Sequence, residues 1–140
     1  MKKMMLIGEV GAGKSSLIRA MSDNEFASSR AMSVQYHGPF INTPGEFLEN
    51  RRFYPAIITA STGCDIMALL QSAERNISLY PPLCCSFFNK HIIGIITKMD
   101  SPTARPDRAA RFLQSAGVKE LYYVSSVTGE GLDALRGLLV

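Results

Sequence analysis

The chain has 140 residues, 46% of them hydrophobic and 19% charged, with a formal net charge of +3. This is enough apolar material for one sizeable core and too little chain for two ordinary domains, so one ordered domain over residues 1–140 is expected. Cys64, Cys84 and Cys85 match neither a secreted disulfide framework nor a CxxC knuckle, and no apolar run approaches the roughly 20 residues of a membrane span, so a cytoplasmic protein with reduced, partly buried thiols is expected.

Lys3 to Ile7 reads as a short buried strand; the stretch is too short for the apolar region of a signal peptide. A glycine-rich turn follows, then a helix from Ser16 to Met21. Asp23 to Arg30 is polar and reads as loop. Met32 to Tyr36 alternates like a strand, His37-Gly38-Pro39 turns, and Phe40-Ile41 begins a second strand ending at Asn42. Glu49 to Thr62 carries Phe53, Ile57 and Ile58 at helical spacing, with Pro55 predicting an irregular start.

Asp65 to Leu70 and His91 to Thr97 are apolar runs of the kind that parallel strands covered on both faces require. Pro81-Pro82 leaves room for only a short crossover helix between them. Asp107 to Ala116 is an amphipathic helix stopped by Gly117; its Arg105, Arg108 and Arg111 read as a solvated face rather than a nucleic-acid contact. Leu121 to Val124 is a strand, and Gly131 to Leu139 a closing helix with Leu132, Leu135, Leu138 and Leu139 on one side. Alternating β and α units of this length predict an α/β fold: a doubly wound, mostly parallel sheet in three α/β/α layers, with the strand-to-helix loops on one binding edge.

Gly8-Glu9-Val10-Gly11-Ala12-Gly13-Lys14-Ser15 fits GxxxxGK[ST] between a predicted strand and a predicted helix. Average residue usage yields the four fixed positions in roughly one chain of this length in two hundred. Glycines let the backbone curl so that successive N–H groups, through Ser16 at the helix start, point at phosphate oxygens. Lys14 would reach the β- and γ-phosphates and Ser15 would ligate Mg²⁺.

Thr97-Lys98-Met99-Asp100 follows directly on the apolar run Ile92 to Ile96, which puts it at the carboxyl end of a core strand. Guanine presents two adjacent donors, and one carboxylate accepts both. Asp100 can therefore read guanine while the stem of Lys98 lies against the ring. Adenine has no such pair of donors. Ser125-Ser126-Val127, after the next strand, would add contacts to the base.

These segments, with Asn42-Thr43-Pro44-Gly45, stand in the order of the phosphate, switch and base motifs of small GTPases, and Ser125 to Leu132 matches the last of them. More narrowly, Asn42-Thr43-Pro44-Gly45-Glu46-Phe47-Leu48-Glu49-Asn50-Arg51, with Tyr54 following and Ile95-Ile96-Thr97-Lys98 later, resembles the EutP/PduV family of ethanolamine- and propanediol-utilisation proteins. The resemblance implies a P-loop NTPase fold of small-GTPase type. It also implies a bacterial protein accompanying metabolic microcompartments, with GTP or GDP and Mg²⁺ as cofactors, ATP as the competing nucleotide, and a shell protein as candidate partner. GTPase, shell-positioning and acyl-phosphate kinase roles all fit such a family.

Three departures from a working GTPase predict slow or absent hydrolysis. Asn42 stands where the magnesium shell is normally held by Asp, so the metal site should be weakened. Gly45 can still offer its N–H to a γ-phosphate, but Glu46 replaces the water-orienting Gln and would be repelled by the phosphate. Ala27 to Ser33, the expected switch segment, has no threonine; Ser28 and Ser33 are poor substitutes. Thr97 also replaces the usual Asn that ties the base loop to the phosphate loop, which predicts weaker base discrimination. His37 and His91 lack metal-ligand spacing to any Cys, Asp or Glu, and the methionines read as core. The readings carried forward are a guanine-nucleotide switch or adaptor, an ATP-dependent phosphotransferase making or using an acyl phosphate, and a shell-binding structural module.

Overall fold

A computed structural model of the chain describes residues 2–8, 12–21, 35–37, 39–43, 54–78, 80, 88 and 90–139. The elements are β1 (Met4–Ile7), α1 (Lys14–Met21), β2 (Gln35–His37), β3 (Phe40–Asn42), α2 (Tyr54–Ser61), β4 (Ile66–Ser72), β5 (His91–Thr97), α3 (Pro106–Ser115), β6 (Leu121–Tyr123) and α4 (Leu132–Leu138). They form a six-stranded sheet in the order β2-β3-β1-β4-β5-β6, parallel except where β2 runs against β3. Such a mixed sheet, flanked by helices, is the P-loop-like α/β fold that the alternation of elements predicts.

The central strands are apolar on both faces because both are covered. Met4, Leu6, Ala68, Leu70, Ile93 and Ile95 pack against Leu17, Ile18 and Met21 of α1 and Leu132 and Leu135 of α4. On the opposite face Met5, Ile7 and Met67 meet Ile57 of α2, while Leu69 and Ile96 meet Ala109, Ala110 and Leu113 of α3. Period-2 alternation along each buried strand thus divides the core into two layers. At Gly94 a Cβ would come within 2.9 Å of Leu113, Val118 and Leu121, so the missing side chain lets α3 close on β5.

Several boundaries differ from expectation, for local reasons. β4 runs on to Ser72 because Gln71 and Ser72, though polar, pair with Ile96 and Thr97 of β5 and are buried. His37 is the last residue of β2, paired with Phe40, rather than a turn residue. Pro55 sits in the first turn of α2, where its missing N–H has no partner to lose. Tyr123 lies in strand β6 but outside the core, 41% exposed. Asp23 to Arg30, expected as loop, and residues 81–87, with Cys84 and Cys85, lie outside the described residues. Cys64 is buried, and burial raises its thiol above the usual range, in keeping with an inert packing role. No helix among the described residues is long and apolar enough to cross a membrane.

β1 and β4 are neighbours whose onward connections leave in opposite directions, towards β3 and towards β5. In open α/β sheets the crevice at such a switch point, beyond the carboxyl ends of the strands, is where ligands bind.

Candidate functional site

The carboxyl edge of the sheet brings three turns together, those after β1, β5 and β6. In the first, a Cβ on Gly8 would lie 3.1 Å from Ala12 and 3.3 Å from Leu70 Cβ, so a side chain would crowd the turn against β4. Gly13 has a φ of 100°, a left-handed conformation that favours glycine. α1 begins at Lys14, whose side chain is buried and whose Nζ donates to the Gly8 carbonyl at 2.8 Å. The lysine amine is thereby held at the mouth of the turn that carries it. Ser16 is exposed at the helix start. Glu9, Val10 and Gly11, also expected in this turn, lie outside the described residues, as do Gly45, Glu46 and Ala27 to Ser33.

Thr97, which stands in place of the usual Asn, ties the base turn to the phosphate turn. The hydroxyl of this buried residue donates to the Ala12 carbonyl at 2.7 Å, linking positions 85 apart in the chain. The tie that asparagine would have made is made here by threonine. A buried bond of this kind contributes about 1 kcal/mol net, and losing one partner would leave a buried carbonyl unsatisfied. The missing Asn therefore does not leave the base turn untied from the phosphate turn.

The next residue, Lys98, has a φ of 62°, a conformation seldom adopted by a residue with a side chain and one that concentrates at functional sites. Its Nζ lies 3.6 Å from Glu74 Oε1, just beyond the end of β4. Asp100 is exposed, and the Ser125 hydroxyl donates to its Oδ1 at 2.8 Å. Ser125 itself is fully buried and also accepts from the N–H groups of Val127 and Thr128. Its hydroxyl therefore orients Asp100, while Ser126 and Val127 line the cleft. Gly13, Ser16, Glu74, Thr97, Lys98, Asp100, Ser101, Pro102, Ser126 and Val127 line a hollow of about 420 Å³, large enough for a purine nucleoside.

Asn42 is the last residue of β3 and lies beside Ser15. Its Nδ2 donates to Ser15 Oγ at 3.3 Å, and its Oδ1 is buried with no hydrogen-bond partner among the described residues. A buried carbonyl oxygen on a side chain whose amide nitrogen reaches the Ser15 hydroxyl suits a hard cation or its bound water, which take oxygen donors. Ser15 and Asn42 therefore fit Mg²⁺ as residue types, with one negative charge fewer than Asp would supply. Thr43 fastens the same turn to β1 through a 2.8 Å bond to the Leu6 carbonyl.

Two residues of this edge carry no local sequence signal. The Tyr80 hydroxyl sits 3.0 Å from the Ile7 carbonyl and 2.7 Å from that of Leu70, bridging β1 and β4 under the first turn. Glu74 receives the Ser101 hydroxyl at 2.8 Å and that of Thr103 at 3.3 Å. The bond from Ser101, with help from the Lys98 charge, holds the Glu74 carboxyl below the usual carboxylate range. Position at the end of β4, on the predicted binding edge, is the one clue that could have found Glu74. The predicted basic face of α3 is only partly free: Arg108 Nη2 turns back to the Glu74 carbonyl at 3.4 Å. His91 meets Glu120 at 3.3 Å at the opposite edge of the sheet.

A family model described as ethanolamine utilisation and propanediol utilisation (PduV-EutP) matches residues 1–140. The propanediol utilization protein PduV of Citrobacter freundii is 32% identical over 138 residues, covering 96% of this chain and 91% of that protein. A Salmonella typhimurium protein named probable acetate kinase EutP is 32% identical over 142 residues, covering 99% of this chain and 87% of its own length. Its namesake from Escherichia coli is 30% identical over 122 residues, covering 86% and 77% respectively.

Proposed function

We propose, for a chain that belongs to the PduV-EutP family of ethanolamine and propanediol utilisation proteins, that it binds a guanine nucleotide and acts as a switch or adaptor in a microcompartment-associated pathway, with a shell protein as partner. The observation that carries this reading is the single cleft running from Gly13 and Ser16 to Asp100, its two ends locked together by the Thr97–Ala12 bond. Phosphates would lie on the N–H groups at the start of α1, where the helix dipole favours anions, and Lys14 would neutralise them. Asp100, steadied by Ser125, would accept both donors of the guanine edge, with the Lys98 stem against the ring. Magnesium, when bound, would shield the phosphate charge; Ser15 and Asn42 are the residues that would hold it.

Hydrolysis is expected to be slow or absent, since the charge of Glu46 would repel a γ-phosphate and Asn42 would add no charge to a metal shell. Thermal shifts with GTP, GDP and ATP should rank the guanine nucleotides first. In single-turnover assays with GTP and Mg²⁺, turnover as fast as an ordinary small GTPase, and lost on Lys14→Ala, would contradict the expectation. Asn42→Asp is expected to strengthen magnesium-dependent GDP affinity about tenfold, as a carboxylate replaces a neutral oxygen beside a cation. Calorimetry showing equal affinities would remove Asn42 from the metal shell.

The name of the EutP relatives supports a second reading, transfer of a γ-phosphoryl group to a small carboxylate. The acid oxygen would attack γ-phosphorus, the bond to the β,γ-bridging oxygen would break, and a nucleoside diphosphate and an acyl phosphate would leave. Formation of acetyl phosphate from acetate and ATP or GTP would favour this reading over the switch.

A further inference from the structure

We propose that Glu74 is a positioning residue for the base cleft: it holds the Lys98 ammonium so that the lysine stem covers the bound base, and it thereby sets guanine-nucleotide affinity. This deepens the guanine-nucleotide reading of the same cleft and rests on it. Lys98 stands in the left-handed region at φ 62°, a conformation that its own side chain disfavours by about 1 kcal/mol, so its surroundings must hold it there. Part of that hold is backbone: the Lys98 carbonyl accepts from the Ser101 N–H at 3.1 Å, and the Met99 N–H donates to the Val124 carbonyl at 3.2 Å. The ion pair with Glu74 adds to that hold on the side chain, and a lysine stem already held loses less rotamer freedom on closing over a ligand.

Glu74 is built to give that hold. Its backbone is fixed on both sides: its N–H donates to Ser72 Oγ at 3.2 Å, the Arg105 N–H donates to the carbonyl of the preceding Ala73 at 2.7 Å, and Arg108 Nη2 donates to the Glu74 carbonyl at 3.4 Å. Its carboxylate is fixed by the Ser101 and Thr103 hydroxyls on Oε2, which leaves Oε1 facing Lys98 Nζ at 3.6 Å. Ser101 thus belongs both to the turn that carries Asp100 and to the anchor of Lys98. Both members of the pair are about two-fifths exposed, so the pair adds little to folding; its effect falls on the geometry of the cleft that both line.

A double-mutant cycle on GDP binding tests this, read by calorimetry. Glu74→Ala is expected to weaken GDP about threefold to fivefold, in line with a partly exposed ion pair. Glu74→Gln, nearly isosteric and still able to accept from Ser101, should weaken it less, and guards against any loss of folding in the alanine variant. Lys98→Met keeps the apolar stem and removes the ammonium; in that background neither Glu74 substitution should weaken GDP further. A Glu74 effect that persists fully beside Met would show that the carboxylate acts on the ligand or on the Ser101 turn directly, and would overturn the proposal. Unchanged GDP affinity in both Glu74 variants would overturn it as well. Wild-type protein that takes up no GDP at millimolar concentration would instead contradict the guanine reading itself, so the two failures are distinguishable.

Discussion

Lys14→Ala is expected to reduce GDP and GTP affinity by at least about 100-fold. The side chain is buried with its amine 2.8 Å from the Gly8 carbonyl, so it is already ordered where a polyphosphate would lie, and little freedom remains to be lost on binding. Charge-assisted bonds to two phosphate groups, each worth about 1.5 to 3 kcal/mol, would go with it. The same substitution leaves the Gly8 carbonyl without its lysine partner, and a modest fall in melting temperature should accompany it. Lys14→Met, which keeps the buried stem, separates the two effects: affinity should fall as far while stability falls less. Nucleotide titration checks both, and a Lys14→Ala protein that binds GDP as the wild type does would remove this lysine from the site.

The second large effect is a change of base. Asp100→Asn is expected to weaken GDP by about 100-fold and to make xanthosine diphosphate the better ligand. Asparagine offers one acceptor and one donor where aspartate offers two acceptors, and xanthine presents the matching donor and acceptor where guanine presents two donors. Ser125 keeps its acceptor in the variant, so the side chain should stay oriented. Competition between the two diphosphates reads the result. An Asp100→Asn protein with unaltered preference would show that the carboxylate does not face the base.

Much of this arrangement was legible in the chain, because local patterns and their order carry it. An apolar run, a glycine turn and a helix start identify β1, the first turn and α1; the place of Thr97 to Asp100 at the end of a core strand gives a weak tetrapeptide its meaning. What could not be read lies in contacts between distant positions. The Thr97 hydroxyl finds Ala12 because β5 and β1 both flank β4, and no pairing preference between threonine and alanine announces it. Ser125 has the composition of a strand-exit turn whether its hydroxyl faces a ligand or, as here, is buried against Asp100. Glu74 becomes part of the site only when β4 and β5 bring it beside Lys98. Asn42 is recognisable as a departure from the aspartate pattern, but that its oxygen is buried with no partner among the described residues depends on the folded surroundings.

Titration of GDP into ¹⁵N-labelled protein, followed through the backbone amides, tests the central claim most directly. Saturable shifts are predicted at Gly13 to Ser16, Lys98 to Asp100 and Ser126-Val127 together, with the far edge around His91 and Glu120 unmoved. Amides of the first turn that stay in place at millimolar GDP, or that move without those of the Asp100 turn, would contradict a single nucleotide cleft.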